Sequence, residues 1–136
     1  MSSEQPDRRE IIARYIDRAH TALHAAQVNL DNGLYETAVN RAYYAVFYAS
    51  SALLLTRDIS RSKHSGVLAA FRQQFVKTGE IEPEFSDSYG ELLTERTASD
   101  YDLAFMADGS TARRHLDEAR RFVERIERRL KETDHV

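Results

Sequence analysis

Apolar residues at Ile12, Ile16, Ala19, Leu23, Ala26 and Leu30 recur at spacings of four, three, four, three and four. That recurrence draws one apolar stripe along a helix of about seven turns. Pro6 suits its first turn, where a missing N–H costs nothing. Asn32-Gly33 ends it, since both residues tolerate the left-handed conformation that closes helices. A second helix is predicted from Leu34 to Thr56. Small residues (Ala38, Ala42, Ala45, Ala49, Ala52) recur along it three or four apart and let a neighbouring helix approach closely. Within it, Arg41 is followed by fourteen uncharged residues, AYYAVFYASSALLL. A membrane span needs about 20 apolar residues, so this run reads as a helix buried on nearly every side.

Arg57 to Ser62 is short and polar and reads as a turn. Ser60 or Ser62 is expected to cap a third helix whose buried side is Val67, Leu68, Phe71, Phe75 and Val76, with Gly79 stopping it. The chain restarts near Pro83, and Phe85, Tyr89, Leu92, Leu93 and Arg96 continue at helical spacing. Gly90 weakens this fourth helix by about 1 kcal/mol relative to Ala. From Thr97 to Gly109 the pattern lapses and predicts a partly ordered loop with one apolar turn. Asp108 or Ser110 can cap a last helix carrying Ala112, Leu116, Ala119, Phe122, Ile126 and Leu130. No stretch reads as a strand. The expectation is an all-α fold, an antiparallel four- to five-helix bundle, as a single domain over 1–136.

Composition narrows the classes. An apolar fraction of 42% and a charged fraction of 30% are those of a globular protein. With no cysteine, neither disulfides nor thiolate metal sites exist. The N-terminal MSSEQPDRRE has no apolar core and does not read as a secretory signal, which suggests a cytoplasmic protein without a membrane segment. A formal charge of −3 gives no general attraction to nucleic acid, so any RNA contact must come from a local patch.

Several residues carry candidate chemistry. Arg41 opens the uncharged run, and Arg is seldom buried without a partner. It either contacts phosphate or pairs with Glu36 or a carboxylate of the fourth helix. Arg96 has Asp100 four residues on as a local partner. Lys63-His64 starts a helix, where backbone N–H groups, the helix dipole and two basic side chains favour an anion. The plainer alternative has His64 capping or packing against a neighbouring turn. Tyr43 and Tyr44 are adjacent, so one is expected in the core and the other toward a cleft or partner. Asp100-Tyr101-Asp102 lacks a third metal ligand and reads as a structural turn. His20 and His24 have metal-ligand spacing but no matching further ligand, so they read as surface or interfacial residues. The arginine-rich last helix has well-placed i,i+4 pairs in Asp117→Arg121 and Glu124→Arg128, as expected of a solvated face; the alternative is a basic surface that meets RNA or an acidic partner. No cofactor motif and no metal set stands out.

NRAYYAVFYASSALL, KHSG, FVKTG and ERTASDYD, in that order and spacing, resemble the HEPN domain family over roughly residues 34–102. The resemblance implies a helical bundle, commonly a homodimer, often encoded beside a small nucleotidyltransferase in toxin–antitoxin modules. It also implies, for active members, a metal-independent ribonuclease with an Arg followed four to six residues later by His. Histidine's pKa near 6.5 suits proton transfer, and arginine's planar fork suits a charged phosphorane. Here Tyr48 stands seven residues after Arg41, where the family often carries His, and Asp100 and Tyr101 follow Arg96. The expected polar cleft is Arg41, Lys63, His64, Arg96, Asp100 and Tyr101, with the arginines and Lys63 on phosphate. The function expected is an RNA- or nucleotide-associated partner of a nucleotidyltransferase chain. One alternative is an endoribonuclease using Arg41 or Arg96 for charge and His64 for the proton; another is a dimerisation scaffold.

Overall fold

The computed structural model describes residues 7–102 and 106–136, with only the backbone of Tyr101. Five α-helices follow in order: α1 Arg8–Asp31, α2 Tyr35–Leu55, α3 His64–Phe71, α4 Pro83–Tyr101 and α5 Gly109–Glu132. Among the described residues there is no strand. The stripe predicted for α1 is buried along its whole length. The end of α1 is a hydrogen-bonded reversal: Gly33, at φ +75°, donates to Leu30 O and Leu34 N donates to Asn29 O at 2.8 Å. A left-handed residue is needed at this point, and glycine takes that conformation at no steric cost.

α2 is the axis of the bundle. Its alanines at 38, 42, 45, 49 and 52 are all buried, and it packs against each of the other four helices. The three-residue link after α1 makes the first two helices an antiparallel pair. α5 runs antiparallel to α1, since Arg9 bonds Asp134 O, His20 meets Glu127 and Arg120 bonds Gln27. α4 is likewise antiparallel to α5, with Glu82 on Arg125, Glu84 on Arg121 and Glu91 on Arg114.

The structure corrects three local expectations. Neither Ser60 nor Ser62 caps α3; the chain enters it at Lys63 in extended backbone, with no side-chain cap. α3 then widens into a π turn over Arg72–Val76, closed by Lys77 N donating to Arg72 O at 2.9 Å. Helix α4 also continues through Thr97–Tyr101, where the sequence predicts a loop. Polar bonds along the helix replace the missing apolar pattern there. Thr97 Oγ1 donates to Leu93 O at 2.8 Å, and Arg96 lies 3.1 Å from Asp100. The apolar turn expected further on falls partly on 103–105, outside the described residues. Asp108 caps α5 as expected, accepting from Thr111 N at 2.7 Å.

Most arginines of α5 are committed within the fold, and Arg125 is buried. Arg125 donates to Glu82 at 2.7 Å and to Glu80 O at 2.9 Å, and Arg129 donates to Glu80 at 2.9 Å. Arg57 from the turn after α2 reaches the same Glu80 through two bonds of 2.6 and 2.7 Å. These bonds, chiefly the one from Arg57, hold the Glu80 carboxyl below its usual pKa. The expected pair Asp117→Arg121 does not form. Arg121 reaches across to Glu84 on α4 at 2.9 Å, and Asp117 meets Arg120 instead.

Candidate functional site

Tyr43 and Tyr44 divide as their adjacency on a helix requires. Tyr43 is fully buried and Tyr44 is half-buried. Tyr44 lies where three basic side chains meet. Arg41 Cζ stands 4.8 Å over its ring, Arg96 Cζ stands 5.6 Å from the same centroid, and the His64 ring is 5.7 Å away, edge to face. The two guanidinium carbons are therefore no further apart than those first two distances laid end to end. Two turns of separate helices and the start of a third supply one cluster.

Arg41 takes neither carboxylate the sequence offers. Its Nε and Nη2 donate to Asn40 Oδ1 at 3.2 and 2.8 Å, and it has no acidic partner among the described residues. Glu36 is used elsewhere, accepting from Ala107 N at 2.8 Å. Arg41 also borders a shallow depression of about 230 Å3 lined by Arg18, Thr21, Ala22, Ala25 and Tyr48.

The Arg96 side chain is only 18% exposed. Its Nη2 donates to Tyr44 Oη at 3.2 Å, and its guanidinium lies 5.6 Å from the Tyr43 ring. The Asp100 carboxylate neutralises it at 3.1 Å, but the Nε–H is not aligned on that oxygen and has no hydrogen-bond acceptor. That nitrogen is enclosed by the fold and serves the ion pair with Asp100.

His64 is the first residue of α3, wedged among Tyr43, Tyr44 and Phe47 with ring centroids 5.5, 5.7 and 4.7 Å away. Its Nδ1 is 2.7 Å from the Tyr43 hydroxyl. Burial pushes the Tyr43 phenol well above its usual pKa, so it keeps its proton. A protonated phenol can donate to Nδ1, which leaves the ring proton on Nε2. Burial first, and the Arg96 charge second, hold the His64 imidazole below its usual 6.5. It is therefore neutral at pH 7.

A depressed imidazole has a definite pH signature. As pH falls below about 6.5 the unfolded chain takes up the proton before the folded one, so this contribution to stability is lost on acidification, not gained. NMR titration of the ring is expected to give a midpoint below 6.5. Arg96→Ala is expected to raise that midpoint without carrying it to 6.5, because burial remains. A wild-type midpoint at or above 6.5 would remove His64 from this cluster.

The HEPN domain model matches residues 12–129. The chain belongs to the HEPN domain family. A UPF0332 protein of Thermotoga maritima is 37% identical over 126 residues, covering 93% of this HEPN chain and 96% of the relative. A Methanocaldococcus jannaschii protein named "Putative toxin MJ0605" is 40% identical over 133 residues, covering 93% of each. Among solved structures, TT1696 from Thermus thermophilus superposes with a TM-score of 0.74 at 21% identity, covering 86% of this chain and 96% of that one. That likeness is one of fold.

Of the residues expected in the HEPN cleft, Arg41, His64, Arg96 and Asp100 are brought together. Lys63 precedes His64 at the mouth of α3 but is exposed, and makes no ion pair among the described residues. Tyr101 ends α4, and its side chain lies outside the described residues. Tyr48 occupies the position seven after Arg41, 5.9 Å from the Tyr44 ring and 6.4 Å from Tyr15 of α1. The sequence did not single out Tyr44 as the shared contact, nor Arg18 beside Arg41. For Tyr44 a signal existed: three residues after Arg41, it must share a helix face with it. Arg18 gave none, because its nearness to Arg41 depends on how α1 docks on α2.

No described helix is long and apolar enough to cross a membrane. His20, read as a surface or interfacial residue, meets Glu127 of α5 at 2.6 Å, while His24 lines the adjoining depression with Arg120 and Glu124.

Proposed function

We propose that this chain is the RNA- or nucleotide-associated component of a toxin-like two-gene module, binding phosphate in the cleft of Arg41, Arg96 and His64. The observation that carries this reading is the convergence of those three side chains on Tyr44 from α2, α4 and α3. Arg41 has no carboxylate among the described residues and Arg96 has one, so the two guanidinium groups leave the cleft basic. Guanidinium groups match phosphate in shape and charge. The half-buried Tyr44 and Tyr48 add faces on which a base can stack. A relative bearing the name "Putative toxin" supports the toxin-like module. The reading includes a homodimer acting in the cytoplasm, with a separate nucleotidyltransferase chain as partner. It involves no membrane and no cofactor in the cleft.

One observation favours a second reading, a metal-independent endoribonuclease. His64 is a neutral imidazole beside Arg96, its tautomer set by Tyr43. Such a ring can move a proton near pH 7 while arginine stabilises the phosphorane. Tyr48 stands where the family often carries His, and Asp100 and Tyr101 follow Arg96, so His64 is the proton carrier of this reading.

The test is binding of a short labelled single-stranded RNA by anisotropy, followed by a cleavage gel in EDTA, for wild type and an Arg41→Ala/Arg96→Ala double variant. Binding weakened at least about tenfold in the folded variant, without cleavage, supports the binding module. Cleavage that survives EDTA and vanishes in the variant supports the enzyme. Wild type that neither binds RNA or nucleotide nor cleaves RNA overturns both readings.

A further inference from the structure

A second cluster lies on the other side of α4, away from the cleft. His115 of α5 is fully buried, with its side chain 1% exposed, yet neither ring nitrogen has a hydrogen-bond partner. Nδ1 stands 3.3 Å from Glu118 Oε1, and Nε2 stands 4.0 Å from Glu95 Oε1. Glu118 Oε1 and Glu95 Oε2 are themselves buried with no hydrogen bond among the described residues. Glu91, His115 and Glu118 each offer one ligand atom, all within 4.8 Å of one another. A buried imidazole and buried carboxylate oxygens within ion-pair reach of one another, yet without hydrogen bonds, are a costly arrangement for a fold to keep on packing grounds alone.

We propose that Glu91, His115 and Glu118 form a site for a divalent transition-metal ion of zinc type, linking α4 to α5. The spacing suits it. His115 and Glu118 are three apart on α5, and Glu91 and Glu95 are four apart on α4, so each helix presents two groups on one face. Imidazole with carboxylates is a donor set for a borderline dication, held at about 2.0–2.2 Å from each atom. The ring nitrogen nearer Glu118 ligates the ion. The other faces Glu95, the carboxylate that would accept its proton and orient the ring. Charge fits as well: three carboxylates against the single guanidinium of Arg114 leave an excess of two negative charges. Arg114 Nη1 reaches Glu91 at 3.1 Å and Glu118 at 3.6 Å. Its side chain is half exposed, so it can swing into solvent and release both carboxylates. Glu91, at 55% exposure, forms the open edge through which an ion enters and a water completes the coordination.

The site and the cleft are independent. Glu95 faces α5, while the next residue, Arg96, faces α2. The experiment uses the full chain, tag removed and stripped with EDTA, titrated with Zn2+ by calorimetry and with Co2+ by visible absorption. One ion per chain is expected, with intense visible Co2+ bands and a raised melting temperature. Glu91→Gln, at the exposed edge, and Glu118→Gln are each expected to weaken binding at least about tenfold. Arg114→Ala is expected to tighten it. His115→Asn should abolish it, but His115 is buried, so the glutamate variants decide if that chain fails to fold. A His20→Ala/His24→Ala variant is expected to bind as wild type does. The proposal is overturned by the absence of stoichiometric binding, by affinity unchanged in both glutamate variants, or by binding lost with His20 and His24 instead. None of these outcomes bears on RNA binding at Arg41 and Arg96.

Discussion

Phe122→Ala is expected to destabilise the protein by about 3–5 kcal/mol, a large part of the roughly 5–15 kcal/mol that holds a domain of this kind folded. Phe122 is fully buried on α5. Its ring meets Phe71 of α3 at 5.4 Å, Phe85 of α4 at 6.1 Å and Tyr89 of α4 at 5.7 Å, the last two edge to face. Truncation removes the transfer energy of the ring and the edge contacts, and leaves a void between three helices. The backbone has little freedom to collapse into it, because Arg125 and Arg129 fix the same face of α5 to Glu80 and Glu82. Urea denaturation is expected to show a lower midpoint with an unchanged slope. Phe122→Leu, which keeps most of the volume, is expected to lose much less. A loss below about 1 kcal/mol in the alanine variant would mean that this aromatic cluster is not the joint between α3, α4 and α5.

What the sequence could and could not convey follows from the range of the interactions. The stripe on α1 and the alanines of α2 were readable because burial repeats with the helical period. The end of α1 was readable because Asn32-Gly33 is a local conformational demand. α4 was misread after Arg96 because polar bonds within the helix, not apolar spacing, carry it onward. Arg41 over Tyr44 was within reach of spacing alone, three residues apart. The contact of Tyr43 with His64 and that of Arg96 with Tyr44 were not, because each joins separate helices across a long loop of sequence. The same limit applies to Arg121, which has an acid four residues before it yet pairs across to Glu84. The four motifs pointed to the HEPN family because four matches in order and spacing are far more specific than any one of them. They did not reveal the cluster at His115, whose four groups come from two helices in unremarkable surroundings.

Arg96→Ala is expected to weaken binding of single-stranded RNA by about tenfold to a hundredfold, the range of a hydrogen bond to a charged group. The Arg96 side chain is only 18% exposed, so its charge acts in a less watery setting than bulk solvent, where each contact counts for more. It also touches both tyrosines and sets part of the His64 environment. Arg96→Lys keeps the charge but loses the fork, and so is expected to restore only part of the affinity. Arg96 also supports Tyr44 within the fold, so melting temperatures must be read beside the affinities. An equal loss of affinity in Asp100→Asn, which leaves the guanidinium in place, would assign the effect to packing. A loss confined to the Arg96 variants, with a salt slope reduced by about one phosphate contact, assigns it to the nucleic acid. Unchanged affinity in a folded Arg96→Ala chain would take Arg96 out of the binding cleft and leave Arg41 without its neighbour there.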